Sequence, residues 1–430
     1  MAWGTNAGVD DLLQKLANPK TSKSLYVMRS RAISDSDMVQ LATSISKNTV
    51  LEELYISGHH LGPQGLQAFV NCLSVNSTLK HLSLGSENLK DQAVQALSAG
   101  LARNAHSSIQ SWDLEFKSLG VDGAAAIANL LETNQSLAIV ALSRNQIGDQ
   151  GVEKLAKGLR KNAQSGVKEL LLTDVGMSGA GLDHLAMLLE CEKCSLLTLQ
   201  LSFNALENAS CTFFDALAKN TSLTKLQLKE CSLSDVHVAA LATALQQNST
   251  LIEIDLSDNN LTQVACASLA QGLSENKTLK IVRLNNNKCQ DEGAVLLANV
   301  LASHNSTLKY VDLGNNGLTS TGMTPLLKAQ SLTQLHLFNN KLGKGLNELL
   351  PILLANSVIE TLGIGANELH MALSVTIFDA LHSHPSLQTL EMGGNTLGKE
   401  GLEALDKLRK ANHRLDVAVD KNAQNEDGSF

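Results

Sequence analysis

Aromatic residues and proline are scarce in this chain of 430 residues. Phe, Tyr and Trp make up 3% of the residues and proline occurs five times, whereas hydrophobic residues as a whole make up 43%. A buried core therefore has to be built mainly from Leu, Ile, Val and Ala. The overall hydrophobic and charged content is that of an ordinary folded protein.

An excess of basic charge is also missing. The formal net charge is −8 at pH 7, which argues against a nucleic-acid binder because such a protein needs a basic face. No apolar run approaches the roughly 18 residues of a membrane span, and the first residues lack the basic and apolar regions of a signal peptide. The seven cysteines are odd in number and scattered, so we expect reduced, mostly buried thiols in a cytoplasmic protein.

What the chain does contain is a recurring phrase of the form Leu-x-x-Leu-x-Leu-x-x-Asn-x-Leu. Clear copies span residues 251–261 and 308–318, and Leu251 and Leu279 begin copies 28 residues apart. A fixed period of this length indicates one small strand-plus-helix unit that is stacked many times. No single unit buries its own apolar face, so stacked neighbours build one continuous core.

Each unit is predicted to contain a short strand followed by a helix. Alternate residues of the phrase face inward, and the segment that follows is apolar at helical spacing, as at Val152, Leu155, Ala156 and Leu159. Strands are narrower than helices, so they crowd on the inside of a curve. We predict an α/β solenoid, a right-handed horseshoe with a parallel sheet on the concave face and helices on the convex face.

The predicted domain organisation has three parts. Residues 1–22 form an N-terminal capping segment, residues 23–414 form the repeats, and residues 415–430 form a last strand followed by a disordered tail. Both caps are expected because an open solenoid exposes its core at each end.

The asparagine of the phrase is expected to be structural. Buried where the strand turns away, its amide can satisfy backbone groups of its own coil and of the next. This predicted ladder consists of Asn145, Asn204, Asn259, Asn287, Asn316, Asn340, Asn367 and Asn395. Cys231 is a weaker substitute, and the positions that depart from asparagine are Arg31, His59, Glu87, Lys117 and Val175, four of them before residue 120. Either the repeats nearer the N-terminus are looser, or other side chains satisfy the backbone there.

The phrase followed by Gly-x-x-Gly, as at residues 145–151, resembles the leucine-rich repeat proteins of the ribonuclease-inhibitor-like subclass. The resemblance covers about residues 23–420. The chain is also similar to the Ran GTPase-activating protein family and to the repeat regions of NLR immune receptors. What the resemblance implies is the fold and, as a class of function, recognition of another macromolecule on the concave face.

No enzyme active site, metal site or cofactor is expected. A G-x-x-x-x-G-K match at residues 393–399 is followed by Glu400, where a phosphate-binding loop needs a Ser or Thr hydroxyl for magnesium. Cys191 and Cys194 have metal-ligand spacing, but no second pair of ligands lies at a zinc-like distance in the sequence. The protein is therefore predicted to be non-catalytic.

One stretch of the predicted concave face differs from its small and polar surroundings. Aromatic and charged side chains with an arginine face inward there on four consecutive strands, and such residues are enriched in binding hot spots. The candidate partner-binding residues are Asp255, Asp258, Arg283, Tyr310, Asp312, His336 and Phe338. The other interpretation is that these are scattered, solvated residues on a polar face. Phe116 and Phe203, at strand ends, are further candidates.

These observations predict a non-catalytic interaction module or scaffold that binds a protein partner on its concave face. No nucleic acid or membrane is expected to be bound. The alternative is a GTPase-activating protein for a Ran-like small GTPase, with Arg144 as a candidate contact, although that family usually carries a strongly acidic segment after its repeats. A nuclease inhibitor fits less well, because its concave face is markedly acidic and rich in aromatics.

Overall fold

The computed structural model describes residues 8–18, 22–305 and 307–420. Strands and helices alternate through this part of the chain. It divides into two compact units, Met1–Leu223 and Thr224–Phe430. The predicted tail, residues 421–430, and parts of the predicted N-terminal capping segment lie outside the described residues, so the predicted domain boundaries remain predictions.

In the described part of the first unit, seven strands pair in chain order to form a parallel sheet. The strands are β1 (Ser24–Tyr26), β2 (Glu53–Ser57), β3 (His81–Gly85), β4 (Ser111–Asp113), β5 (Ile139–Ala141), β6 (Glu169–Leu171) and β7 (Thr198–Gln200). The helices, each packed against the next, are α1 (Asp10–Ala17), α2 (Asp35–Lys47), α3 (Pro63–Leu73), α4 (Lys90–Ala102), α5 (Val121–Leu131), α6 (Gly148–Lys161), α7 (Gly179–Leu189) and α8 (Thr212–Lys219).

The described part of the second unit repeats this arrangement with eight parallel strands in chain order. The strands are β8 (Lys225–Gln227), β9 (Glu253–Asp255), β10 (Ile281–Arg283), β11 (Tyr310–Asp312), β12 (Gln334–His336), β13 (Thr361–Gly363), β14 (Thr389–Glu391) and β15 (Asp416–Ala418). The helices are α9 (Asp235–Gln247), α10 (Gln263–Glu275), α11 (Gln290–Ser303), α12 (Ser320–Lys328), α13 (Leu346–Ala355), α14 (Met371–Ala380) and α15 (Gly398–Ala411), with short 3₁₀ turns at Gly343–Gly345 and Leu381–Ser383.

Each unit keeps its hydrophobic core between the sheet and the helices. In most strands the middle residue is buried and the residues on either side are partly exposed. Those flanking residues lie on the side of the sheet away from the core, which we call the open sheet face. Parallel strands with helices on their other side confirm the predicted α/β repeat architecture in both units.

The sequence pattern explains the helices as well. Helix α6 buries Val152, Leu155, Ala156 and Leu159 as predicted, and it has acidic and basic residues in its first and last turns, where they oppose the helix dipole. Within the described residues, no helix has the length and hydropathy needed to cross a bilayer.

Asn259 illustrates how asparagines join consecutive repeats. Its Nδ2 donates to the carbonyls of Leu228 and Leu256 at 2.8 and 3.0 Å, and its Oδ1 accepts from the N–H groups of Cys231 and Leu233 at 3.0 Å each. Related hydrogen bonds to the backbone are made by Asn145, Asn204, Asn287, Asn316, Asn340, Asn367 and Asn395.

Nearer the N-terminus, longer side chains reach the backbone instead. Arg31 Nε donates to a carbonyl at 2.7 Å, and His59 Nε2 lies 3.1 Å from another. Lys117 is 2% exposed, and its ammonium donates to the Gly85 carbonyl at 2.9 Å and to the Ser57 hydroxyl at 2.8 Å. At these three positions other side chains satisfy the backbone, whereas Glu87 is exposed and its Oε2 lies 3.9 Å from Arg29 Nη2.

A second row of asparagines, at the ends of the helices, also joins neighbouring repeats. Asn276 follows α10, and its Nδ2 donates to the carbonyls of Leu245 and Asn248 at 2.8 and 3.0 Å. Its Oδ1 accepts from the N–H groups of Thr278 and Leu279 at 3.0 and 2.8 Å. Both edges of the repeat are thus held by buried amide side chains.

Candidate functional site

The predicted partner-binding residues lie in the second unit, on the open sheet face or in the turns after its strands. Asp255, Arg283, Asp312 and His336 end β9, β10, β11 and β12. The strand register pairs Asp255 with Arg283, Arg283 with Asp312, and Asp312 with His336. Since side chains at paired positions of neighbouring strands lie on the same face, these four form one row across the sheet.

Arg283 is held between an acid and an aromatic ring. Its Nη1 lies 2.5 Å from Glu253 Oε1, which also pairs with Lys225 Nζ at 3.2 Å. Its guanidinium carbon lies 5.0 Å from the centroid of the Tyr310 ring, within the range of a cation–π interaction. Burial disfavours the charged guanidinium, but the hydrogen bond and charge of Glu253 outweigh it, and the pKa of Arg283 is raised.

On its other side, Tyr310 contacts His336. The two ring centroids are 5.0 Å apart and the rings are tilted by 33°. His336 Nδ1 lies 3.2 Å from Oε2 of Glu391, which is on β14, two strands further along. Burial raises the pKa of Tyr310. The contacts therefore run without a break from Glu253 to Glu391.

A glycine on the intervening strand makes the contact between His336 and Glu391 possible. Gly363 ends β13, and a Cβ at this residue would lie 3.0 Å from His336 Nδ1 and 2.8 Å from Glu391 Oε2. Any larger residue would therefore stand between the two side chains.

Asp312 is the acid at the centre of the row. Its Oδ1 accepts a hydrogen bond from the N–H of Gly314 at 2.9 Å. Burial raises the pKa of this carboxyl group despite that hydrogen bond and the neighbouring charges of His336 and Arg283. Poor solvation therefore disfavours the ionised form of this carboxyl group.

Phe338 places an apolar ring beside these polar groups. It follows β12, and its carbonyl accepts from the N–H of Asn315 at 2.7 Å, so its backbone continues the sheet ladder. Its side chain is 57% exposed, and a Cβ at Gly365 would lie 3.0 Å from Cδ2 of its ring. The ring therefore lies against a bare stretch of backbone and presents its other face to solvent.

Asp258 departs from the predicted arrangement. It lies in the turn after β9 rather than on the strand, with a left-handed backbone at φ 59°, and Asp258 Oδ2 pairs with Lys229 Nζ at 3.3 Å. Its charge is thus partly neutralised at the edge of the row. The turn, and not the strand, sets its position.

Sequence reasoning missed Glu253, Glu391, Gly363 and Gly365 as parts of the site. For Glu391 a signal existed, because repeat alignment places His336, Gly363 and Glu391 at the same position of successive strands. A glycine between two polar residues in such a column leaves room for contact across it.

The arrangement is suited to recognition. It combines an ion pair, two aromatic rings in tilted contact and one exposed apolar side chain, features that recur at protein interfaces. Among the described residues, no group of three or more His, Cys, Asp and Glu side chains is placed to hold a metal ion.

Comparisons with known proteins place the repeats in a family. The leucine-rich repeat family matches residues 47–70, 133–156, 247–270, 275–298, 304–327 and 383–405.

Two kinds of relative share these repeats. The mouse (Mus musculus) "Ribonuclease inhibitor" is 25% identical over 94% of this chain and 83% of its own length. The human (Homo sapiens) "NACHT, LRR and PYD domains-containing protein 14" is 26% identical over 81% of this chain, and human "NACHT, LRR and PYD domains-containing protein 7" is 30% identical over 42%. The chain spans 30% and 19% of the length of these last two proteins. It is a leucine-rich repeat protein of the ribonuclease-inhibitor-like type.

Proposed function

We propose that this protein is a non-catalytic interaction module that binds a protein partner through the second unit. The contact residues are Arg283, Tyr310, Asp312, His336 and Phe338, which we call the Tyr310 surface. The observation that carries the proposal is the position of Arg283, fixed between Glu253 and Tyr310, in the same row as an aromatic pair and next to an exposed phenylalanine. The family's repeats support a function in protein interaction.

Pre-organisation is the first argument for binding at this surface. Immobilising a long side chain on association costs roughly 0.5–1.5 kcal/mol. Arg283, Tyr310 and His336 are already restrained by contacts with one another and with Glu253 and Glu391. A partner would therefore meet them in place.

The second argument is that parts of the surface do not help folding. Phe338 leaves more than half of its side chain in solvent, and Asp312 keeps a carboxylate where burial raises its pKa. A bound partner would stabilise both groups if it offered an apolar contact to Phe338 and a hydrogen-bond donor or cation to Asp312.

The proposal is tested by affinity purification with cross-linking from a native cytosolic extract. Wild-type protein is compared with Phe338→Ala and Arg283→Ala. The second variant leaves Glu253 paired with Lys225, so it strands no buried charge. We expect one partner to be lost at least tenfold in both variants while the melting temperature stays within a few degrees of wild type.

Phe203→Ala is the matched control, since Phe203 is also an exposed phenylalanine after a strand, at 44% exposure, but lies in the first unit. It should keep the partner. Identical partners in wild type, Phe338→Ala and Arg283→Ala would refute the Tyr310 surface as the binding site.

The sequence also left open the alternative that the protein activates a Ran-like small GTPase. An enzymatic measurement distinguishes this alternative from the interaction module. An interaction module leaves the GTP hydrolysis rate of a purified Ran-like GTPase unchanged. A large acceleration by wild-type protein would establish the activator function instead. We also infer a cytoplasmic location, which is supported by the absence of a disulfide bond at any of the seven cysteines, all of which lie among the described residues.

A further inference from the structure

The chain has three tyrosines, and all of them lie on the open sheet face. Tyr310, in the second unit, is in contact with the guanidinium of Arg283. In the first unit, Tyr26 ends β1 and Tyr55 is its register partner on β2. Their rings stack with centroids 4.5 Å apart and planes 3° from parallel. Because β1 is the first strand of its sheet, Tyr26 is 62% exposed and its outer ring face is open to a partner.

A carboxylate lies at the edge of this tyrosine pair. Glu53 begins β2, and its Oε2 accepts hydrogen bonds from the hydroxyls of Ser24 at 2.6 Å and of Tyr26 at 3.3 Å. Burial and then the negative charge of Glu53 raise the pKa of Tyr55, so the charge acts on both rings. Among the described residues, Glu53 takes part in no ion pair.

The second unit shows what a glutamate and a tyrosine on the open sheet face can hold. Glu253 also begins its strand, β9, but its Oε1 lies 2.5 Å from Arg283 Nη1 and 3.2 Å from Lys225 Nζ. The guanidinium carbon of Arg283 lies 5.0 Å from the centroid of the Tyr310 ring. In the described part of the first unit, the glutamate and the rings are present, but no arginine forms an ion pair with Glu53 or a cation–π contact with the two rings.

The neighbouring basic side chains have partners of their own. Those closest in sequence to β1, β2 and β3 form ion pairs with other acids: Lys23 and Lys80 with Glu52, at 2.7 and 2.9 Å, and Arg29 with Glu87, at 3.9 Å. Lys117 lies at the far end of β2, where its ammonium donates to the Ser57 hydroxyl. The carboxylate of Glu53 is thus bonded to neutral hydroxyls, whereas that of Glu253 is bonded to two cations.

We propose that Tyr26, Tyr55 and Glu53 form a second interaction surface, which we call the Tyr26 surface, and that its occupant is an arginine side chain of a partner protein. The guanidinium would stack on the exposed ring face of Tyr26 and form a charge-assisted hydrogen bond with Glu53. Lysine has the same charge but lacks the planar group that stacks on a ring. The Tyr26 surface lies in the first unit and does not depend on the Tyr310 surface.

The ring resonances of the three tyrosines provide the test. The full-length protein, with isotope-labelled tyrosine rings, is titrated with the peptide acetyl-Gly-Gly-Arg-Gly-Gly-amide and followed by NMR. Two matched peptides carry lysine or the uncharged citrulline in place of arginine. We expect saturable shifts of Tyr26 and Tyr55 with the arginine peptide, at least fivefold weaker binding of the lysine peptide and no saturable shift with the citrulline peptide. Tyr310 should shift little, because Arg283 already covers it.

Tyr26→Leu and Glu53→Gln are the test variants, and Glu169→Gln is the matched control. Leucine keeps an apolar side chain beside Tyr55 but offers no aromatic face, and glutamine keeps an oxygen that can accept from the Ser24 hydroxyl. Glu169 begins β6, as Glu53 begins β2, but its register partners on β5 and β7 are an isoleucine and a threonine. The control therefore removes the same charge from a strand position without a neighbouring tyrosine.

Each test variant should bind the arginine peptide at least fivefold more weakly while its melting temperature stays within a few degrees of wild type. Glu169→Gln should bind as wild type does. Absence of shifts at Tyr26 and Tyr55, equal weakening by Glu169→Gln, or equal binding of the three peptides would each overturn the proposal. The same shifts on concentrating the protein without peptide would also overturn it, since they would assign the surface to a second copy of this chain.

Discussion

At the scale of single residues, the buried carboxyl group of Asp312 should lower the free energy of unfolding when it is ionised. Burial raises the pKa of its carboxyl group from the ordinary value of 3.8, so the folded state binds a proton more tightly than the unfolded state. The stabilisation that follows is complete below the unfolded pKa and is lost as the pH rises through the folded pKa. Above the folded pKa, the ionised carboxylate is therefore less stable in the folded protein than in the unfolded chain.

We predict that Asp312→Asn makes the protein more stable at pH 7, since the amide oxygen can still accept from the Gly314 N–H without a buried charge. The gain should shrink as the pH falls through the folded pKa and should be lost below 3.8, where the wild-type carboxyl becomes protonated in both states. Urea unfolding at several pH values measures this. The exposed Asp379 provides the control, because Asp379→Asn should leave stability nearly unchanged, and a pH-independent gain in Asp312→Asn would contradict the explanation.

The row that contains Asp312 could be placed from the sequence, but its contacts could not. A repeat period assigns each residue to a column, and strand register then aligned Asp255, Arg283, Asp312 and His336. Which side chains touch depends on rotamers and on what stands between them. That Glu391 reaches His336 depends on the missing side chain of Gly363. Whether these residues bind a partner stays a prediction.

At the scale of the element, two glycines of one strand segment differ in what they allow. A Cβ at Gly363 would meet the end of the flexible Glu391 side chain at 2.8 Å, whereas a Cβ at Gly365 would meet the carbonyl oxygen of Gly393 at 2.6 Å. A side-chain end can move aside, but the backbone of the next repeat cannot do so without shifting the sheet.

We predict that Gly365→Ala lowers the free energy of unfolding by about 1–3 kcal/mol, the usual cost of overpacking, whereas Gly363→Ala changes it by less than about 0.5 kcal/mol. Gly363→Ala should nevertheless weaken partner binding, since its methyl group separates His336 from Glu391. Chemical denaturation and a binding assay with the same two variants measure both effects. Equal loss of stability in the two would show that crowding at the backbone is not what distinguishes them.

The asparagine positions show where sequence reasoning about elements succeeds and where it stops. The type of residue and its position after the strand were enough to predict contact with the backbone. At Lys117 the sequence left two interpretations open, either a looser repeat or satisfaction of the backbone by the lysine side chain. In the structure, the ammonium of Lys117 donates a hydrogen bond to the Gly85 carbonyl. No local sequence pattern distinguishes that rotamer from one in which the ammonium is solvated.

At the scale of the whole chain, the period decides the architecture because one set of contacts is repeated many times. Within each unit, helices of consecutive repeats pack against one another, and the same strand-to-strand register recurs. Agreement among many copies therefore made the fold class predictable. The proposed binding surface is the opposite case, because it depends on residues that depart from the repeat, such as Phe338, and a single departure has no second copy to support it.

Repetition also predicts how the protein should respond to local damage. Stability in such chains is approximately a sum of repeats and of contacts between neighbours, so a defect opens its own repeat first. Asn276→Ala removes two donors and two acceptor contacts to the backbone, and the unpaired buried groups should cost about 2–3 kcal/mol. Hydrogen exchange followed by mass spectrometry should then show faster exchange in α9, α10 and the strands beside them, with little change in β1 to β4.

Asn208→Ala, at an exposed residue, is the control and should alter exchange in neither region. A uniform acceleration throughout the chain would mean that it unfolds as one cooperative body.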